Sequence, residues 1–361
     1  MAVADLTVVV PNFNHARFLP RSLGAIVTQS IQPREVLVID DASSDDSVRI
    51  INEFAAKHTS IRLIRNERNC GVVPNINRGL ALAAGRYVTF CSADDYMLPG
   101  YFEKLIEQLE RHPQAALAFS YDSFQFDHEG TPQPNPDRFP HAGFFSPDAI
   151  ASHLERTIPG HSVILRTEPL RAIGGFDAGL AWYCDWFAHL VLAFRHGACH
   201  VPEMLSVRVL MDENYSASKP RERHLPVLQR FFHLLTTDCA DVAPLFQRYG
   251  GATHFGTDLI RAAATRPDVW SQPILGFLNG FTDDEYRELL DDADPAVRAI
   301  ASFFLGPFWR RDVEQRRAAE AERRRLEDEL EEAKRRLPPP GATGKLRWLA
   351  GLVAKRLRRA G

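Results

Sequence analysis

Short apolar runs alternate with helically spaced apolar positions along the first ninety residues. Residues 6–10 (LTVVV) form a β-branched run closed by Pro11-Asn12. Between positions 16 and 29, Phe18, Leu19, Leu23, Ile26 and Val27 recur at helical spacing. A second apolar run, EVLVI at 35–39, stops at Asp40-Asp41, and Ser44-Asp45-Asp46 offers helix caps ahead of Val48, Ile51 and Phe54. Residues 61–64 read as a strand, 75–84 as a helix closed by Gly85, and 87–90 as another strand. Strands without internal alternation, separated by helices, predict a parallel sheet covered on both faces. Right-handed crossovers then bring the strand C-termini to one edge, where open α/β sheets bind ligands.

The pattern changes after that. Pro132, Pro134, Pro136, Pro140 and Pro147 predict a loop or flap over 127–148. A strand at 161–166 and a helix follow. Residues 221–310 read as mostly helical, with Leu225, Leu228, Phe231, Phe232 and Leu235 on one face. Helix formers fill 312–337, and Pro338-Pro339-Pro340 ends that segment. The expected organisation is a domain at 1–219, divided near 126/127, a helical region at 220–311, a charged helix at 312–337 and a tail at 338–361.

Composition narrows the function. The chain of 361 residues is 45% hydrophobic and 25% charged, which excludes wholesale disorder. A net charge of -3 argues against a nucleic-acid partner. Five cysteines without CxxC spacing argue against a disulfide scaffold or zinc ribbon and predict reduced thiols. No signal peptide or transmembrane run is expected, and a cytoplasmic location follows. The tail is different: 338–361 carries six basic residues and no acid. On a helix, 345–359 places Leu346, Leu349, Val353 and Leu357 on one side, with Trp348 and Leu352. That pattern suits an anionic membrane surface, such as the inner face of the plasma membrane, or docking on the protein's own acidic body. For 312–337 a short coiled coil pairing two chains as a homodimer and a solvated single helix both stay open; Arg316 and Arg323 at seam positions favour the second.

Chemistry-bearing residues gather at the predicted strand ends. Asp40-Asp41 follows the EVLVI run, Asn69-Cys70-Gly71 precedes a helix with Asn77-Arg78, and Ser92-Ala93-Asp94-Asp95 follows YVTF. An isolated acidic pair is ordinarily a turn or cap. Two pairs converging on one crevice repel, which points to a cation shared with substrate phosphates, Mg²⁺ or Mn²⁺. The P-loop and dinucleotide fingerprints are absent.

The ordered series PNFNHARFL, VIDDASSDDS, NCGVVPNINRG, YVTFCSADDYMLPG and IGGFDAGLAWYCDWFAHL resembles the inverting family 2 glycosyltransferases over roughly residues 5–215. The resemblance implies a GT-A-type fold, a Rossmann-like, mostly parallel sheet sandwiched by helices, here with a helical C-terminal extension. It implies a nucleotide-sugar donor, most simply UDP-linked, and Mn²⁺ or Mg²⁺. Pro11 and Phe13 fall where the family lines the nucleobase pocket, and Asp41, with Asp40 beside it, where a carboxylate accepts the uracil N–H. Asn77 and Arg78 fall among donor contacts. Asp94 and Asp95 match the metal and ribose motif; with Ser92 at its first position, Asp95 is the expected metal ligand and Asp94 a ribose or metal partner. Asp185 falls at the general base, Cys184 replacing a common Glu, and Asp177 at a turn. His161, Trp182 and Trp186 are acceptor-side candidates, each with a packing role as the alternative. The implied reaction is transfer of one sugar to a glycan, lipid-linked or protein acceptor, as in cell-surface polysaccharide or glycoconjugate synthesis. A catalytically inactive nucleotide-sugar-binding scaffold and a sugar nucleotidyltransferase are the alternatives.

Overall fold

The structure, a computed structural model, describes residues 2–126, 130–134, 139, 141–153, 158–210, 224–248, 257, 258, 260, 261, 283–302 and 325. The chain groups into two compact units, 1–277 and 278–361. The 312–337 segment beyond its one described residue, the basic tail and the 211–223 stretch lie outside the described residues.

The first unit opens as predicted. Strand β1 (Val3–Asn12), helix α1 (Leu19–Val27), β2 (Gln32–Asp40), α2 (Ser47–Lys57), β3 (Ile61–Arg65), α3 (Val72–Leu82) and β4 (Tyr87–Phe90) alternate. β3, β2, β1 and β4 lie side by side and parallel. Leu6, Val8, Val10, Val36 and Val38 pack with Leu19, Leu23 and Ile26 of α1 in one core. Full burial of each such side chain is worth about 1.5–3 kcal/mol. On the sheet, α3 sits so close that a Cβ at Gly79 would stand 2.3 Å from Val9 Cγ1, so only glycine fits there.

After β4 come β5 (Tyr96–Met97), α4 (Tyr101–Arg111), β6 (Leu117–Phe126), β7 (Gln133–Pro134), β8 (Gly143–Phe145), α5 (Pro147–Ala151), β9 (Val163–Arg166) and α6 (Thr167–Ala172). A 3₁₀ turn (Ala178–Tyr183), α7 (Cys184–His196), β10 (Ala198–Leu210), α8 (His224–Thr236) and α9 (Ala243–Arg248) follow. The full sheet order is β3-β2-β1-β4-β9-β6-β10-β5, with β7 on β6 and β8 on β10.

Two expectations need correction. The proline-rich 127–148 stretch is not wholly irregular: Pro134 sits on an outer strand, and Pro147 opens α5 with the Ser146 hydroxyl accepting from Ala149 N–H. β9 begins at Val163 and runs antiparallel to both β4 and β6, because an apolar run encodes burial and not direction. In the second unit, α10 (Asp283–Leu290) buries Leu289, and α11 (Pro295–Ile300) starts at Asp294, whose carboxylate accepts from Ala296 N–H at 2.8 Å. Among the described residues no helix is long and apolar enough to cross a membrane. All five cysteines are free thiols, with Cys70 alone exposed.

Candidate active site

The ends of β1 and β2 are stitched together by side chains that accept backbone N–H groups. Asn12 Nδ2 donates to Asp40 Oδ1 at 2.9 Å and to Ser43 Oγ at 3.2 Å. Asn14 takes the left-handed conformation at φ 55°, and its Oδ1 accepts from Ser44 N–H at 2.8 Å. Ala16 N–H donates to Asp45 Oδ2 at 2.9 Å. Ala42 is also left-handed, at φ 62°, a strain of about 1–2 kcal/mol that these bonds hold in place. Asp40 is 0% exposed: one oxygen serves Asn12, the other Ser43 N–H, with Arg65 Nε 3.6 Å away. It therefore binds the loops together, with both oxygens engaged inside the protein.

Asp41 is also buried. It accepts from Asn66 Nδ2 at 2.7 Å, Cys70 N–H and Gly71 N–H at 2.9 Å, and the Asn75 side chain. Burial alone would raise its carboxyl, but these donors outweigh burial and hold it below the ordinary value of 3.8. Its four acceptor positions are thus engaged within the protein, so a base N–H must share one. Asn77 does not face the donor loops: its amide is spent on the backbone of Phe176. Arg78 is exposed and donates to Asn66 Oδ1, which places its guanidinium beside the Asp41 network. Pro11 is half-buried, and Phe13 is 42% exposed with a ring available for stacking.

At the end of β4 the two acids part company. Asp95 is 7% exposed, and its Oδ1 accepts from Val209 N–H at 2.9 Å, pinning β10. Asp94 is only half-buried; burial pushes its carboxyl up, and nearby His15 opposes the shift. Asp95 thus fastens the loop to β10 through one oxygen, and Asp94 is the more exposed carboxylate of the pair. Ser92 is half-buried and its carbonyl accepts from Asp95 N–H. Among the described residues no three His, Cys, Asp or Glu side chains form a metal cage. One half-buried carboxylate suits Mg²⁺ or Mn²⁺, which fills its shell from phosphates and water.

β9 delivers the base candidate. Its antiparallel register, Tyr87 against Arg166, sets Val163 at the C-terminal end of β4, where Thr89 Oγ1 donates to Val163 O at 2.8 Å. Gly160 and the half-buried His161 lie just before it. The Asp185 carboxylate presses on that segment: a Cβ at Gly160 would stand 2.1 Å from Asp185 Oδ2. Asp185 Oδ1 accepts from Trp186 N–H at 2.7 Å in the first turn of α7. Asp185 thus reaches the edge that bears Asp94. Cys184 is buried, and burial pushes its thiol far up, so it supplies no second acid. Trp186 is buried against Phe231 and Phe246 and packs the core, while Trp182 stays half-buried beside Tyr183. Asp177 fixes a turn, as expected: it accepts from Gly179 N–H and is paired to Arg230 at 2.7 Å.

Asn66, Asn75, His15 and Gly160 escaped the sequence reading. Asparagines and a lone histidine are common in loops, and only the fold shows what they touch.

The glycosyl transferase family 2 model matches residues 7–174. Escherichia coli chondroitin synthase is 24% identical over 226 residues, covering 62% of this chain and 32% of that one. The chain spans 58% or less of the length of the first curated relatives it matches. S. aureus TarS in complex with UDP-GlcNAc shares the fold at a TM-score of 0.57 and 16% identity, over 80% of this chain and 83% of that one. A mannosyltransferase of Pyrobaculum calidifontis in complex with GDP-Man and Mn²⁺ aligns at 0.50 and 18% identity, over 82% and 79%. Residues 7–174 therefore carry a family 2 glycosyltransferase domain, built on the GT-A fold.

Proposed function

We propose that the chain is a metal-dependent inverting glycosyltransferase that moves one sugar from a UDP-linked donor to a hydroxyl of a glycan, lipid-linked or protein acceptor. The observation that carries this reading is that Phe13 follows β1, Asp94 follows β4 and Asp185 of α7 packs on Gly160 just before the antiparallel β9, all toward one sheet edge. Nucleotide sugars in the TarS and mannosyltransferase structures, and Mn²⁺ in the latter, support it. Phe13 stacks on the base, and Arg78 and Asn66 flank it. Asp185 takes the proton of the acceptor hydroxyl as that oxygen attacks the anomeric carbon. The bond from that carbon to the diphosphate breaks with its electron pair, and configuration inverts. A divalent cation, held by Asp94 with the donor's phosphates, would offset the charge on the departing nucleoside diphosphate.

The test is donor turnover across nucleotide sugars with and without Mn²⁺. Asp94→Ala is expected to remove metal-dependent UDP binding; unchanged metal dependence would overturn the assignment. Asp185→Asn is expected to lower transfer about 10²–10⁴-fold with UDP affinity kept. Near-normal transfer by that variant would move the base elsewhere. The reading extends to location: peripheral attachment through 345–359 at the inner face of the plasma membrane, near a lipid-linked acceptor. Protein ending at Leu337 should lose flotation with anionic liposomes, and equal flotation would remove the anchor.

A further inference from the structure

Asn77 joins the two halves of the site. It lies on α3, whose N-terminal end holds Asp41 through Gly71 N–H and Asn75. Its amide makes a two-bond clamp on Phe176, ninety-nine residues away: Nδ2 donates to Phe176 O at 2.7 Å, and Oδ1 accepts from Phe176 N–H at 2.9 Å. The neighbouring Gly175 is shaped for this contact. It sits at φ 78°, and a Cβ there would stand 2.6 Å from Asn77 Oδ1. Arg171 reinforces the docking, its Nη2 donating to Leu80 O at 2.9 Å and Ala83 O at 2.6 Å at the end of α3.

What the clamp holds is the entry to the base helix. The Phe176 ring meets Phe90, the last residue of β4, edge-on at 4.9 Å, and approaches His189 on α7 at 6.3 Å. His189 is one turn beyond Asp185 on the same helix face. Asp177 follows Phe176 and starts the 3₁₀ turn that runs directly into Cys184 and Asp185. Phe176 is therefore fixed by α3 on its backbone and touches the base helix with its ring.

We propose that Asn77 is a positioning residue for Asp185, setting the base helix against the donor half; the proposal rests on Asp185 being the general base. Misplacement of a reacting group by about 1 Å costs on the order of 10²-fold in rate. Asn77→Ala should lower transfer kcat about 10–100-fold, with UDP or GDP affinity in Mn²⁺ kept within about twofold. Asn77→Asp keeps an acceptor for Phe176 N–H but sets a second acceptor against Phe176 O, so it should lower kcat at least as far as Asn77→Ala, and urea denaturation of both variants checks that each is folded under assay conditions. The deciding measurement is a double-mutant cycle. On an Asp185→Asn background, Asn77→Ala or Asn77→Asp should lower kcat no further, because the group it positions no longer takes a proton. An equal loss on both backgrounds, or loss of nucleotide affinity in step with kcat, would overturn the Asn77 proposal alone. Near-normal transfer by Asp185→Asn would sink the base assignment before Asn77 is tested.

Discussion

The two sides of the first unit, the proposed donor half and the proposed acceptor half, are held together by different forces. Around β1, β2 and α3, carboxylates and amides accept backbone N–H groups: Asp40 from Ser43, Asp41 from Cys70 and Gly71, Asn14 from Ser44, Asp45 from Ala16. Around α7, rings pack on rings. Trp186, Phe187 and Phe194 meet Phe231 of α8 and Phe246 of α9 with centroids 4.9–6.1 Å apart. In the donor half an acid is first a fastener, so counting acids overstates the groups left for a ligand. In the acceptor half apolar packing carries the frame, and two ion pairs, Arg195 with Asp241 and Arg230 with Asp177, tie α7 and α8 to their neighbours.

Substitutions that exchange these forces test the contrast. The largest expected effect is on the ring cluster. Trp186→Ala should cost about 3–5 kcal/mol of unfolding free energy, measured by urea denaturation with metal and nucleotide absent. A loss under about 1 kcal/mol would mean that α8 and α9 do not support α7. Next comes Asp41→Ala, which strands the N–H groups of Cys70 and Gly71. Each such group costs about 1–3 kcal/mol when sealed from water, and the exposure of Cys70 lets water recover part of that, so about 2–3 kcal/mol is expected in total. An Asp41→Ala protein as stable as wild type, with uridine binding selectively lost, would return Asp41 to the role of a base acceptor.

Much of the first half was legible because local pattern and tertiary context agree there. The runs ending at Asn12, Asp40 and Phe90 are β-branched, the helices between them are amphipathic, and loop acids at strand ends mark the binding edge. Three things were not legible. Which acid of a pair faces the ligand depends on a partner far away: Asp95 is taken by Val209, over a hundred residues on, and nothing near Asp95 in sequence signals that. The family resemblance puts Asn77 among donor contacts with Arg78, yet one helical step turns it toward Phe176. The direction of β9 is also hidden, since a short buried strand has the same apolar pattern either way.

The smallest expected effect is the most discriminating, because it concerns pH. Asp41 and Asp45 are both held below the ordinary aspartate value of 3.8 by N–H and side-chain donors that outweigh their burial. In the unfolded chain they titrate near that value, so on acidification the unfolded state takes protons first. Their contribution is present above the unfolded value and is lost as pH falls through the lower folded values. Asp94 works in the opposite sense: burial raises it, so the folded state takes its proton first, and its ionisation costs stability as pH rises. Asp241 is held low as well, chiefly by the Arg195 side chain of α7, so among the described residues three lowered carboxylates stand against one raised, and wild-type unfolding free energy should decline from about pH 5 toward pH 3. Asp41→Asn removes one titrating group from the donor half and should flatten that decline. Trp186→Ala should lower the whole curve and leave its slope unchanged, because rings do not titrate. If instead Trp186→Ala changed the slope and Asp41→Asn did not, the Arg195–Asp241 pair of the acceptor half would be the main acid-sensitive fastening, and the division between the two halves would have to be redrawn.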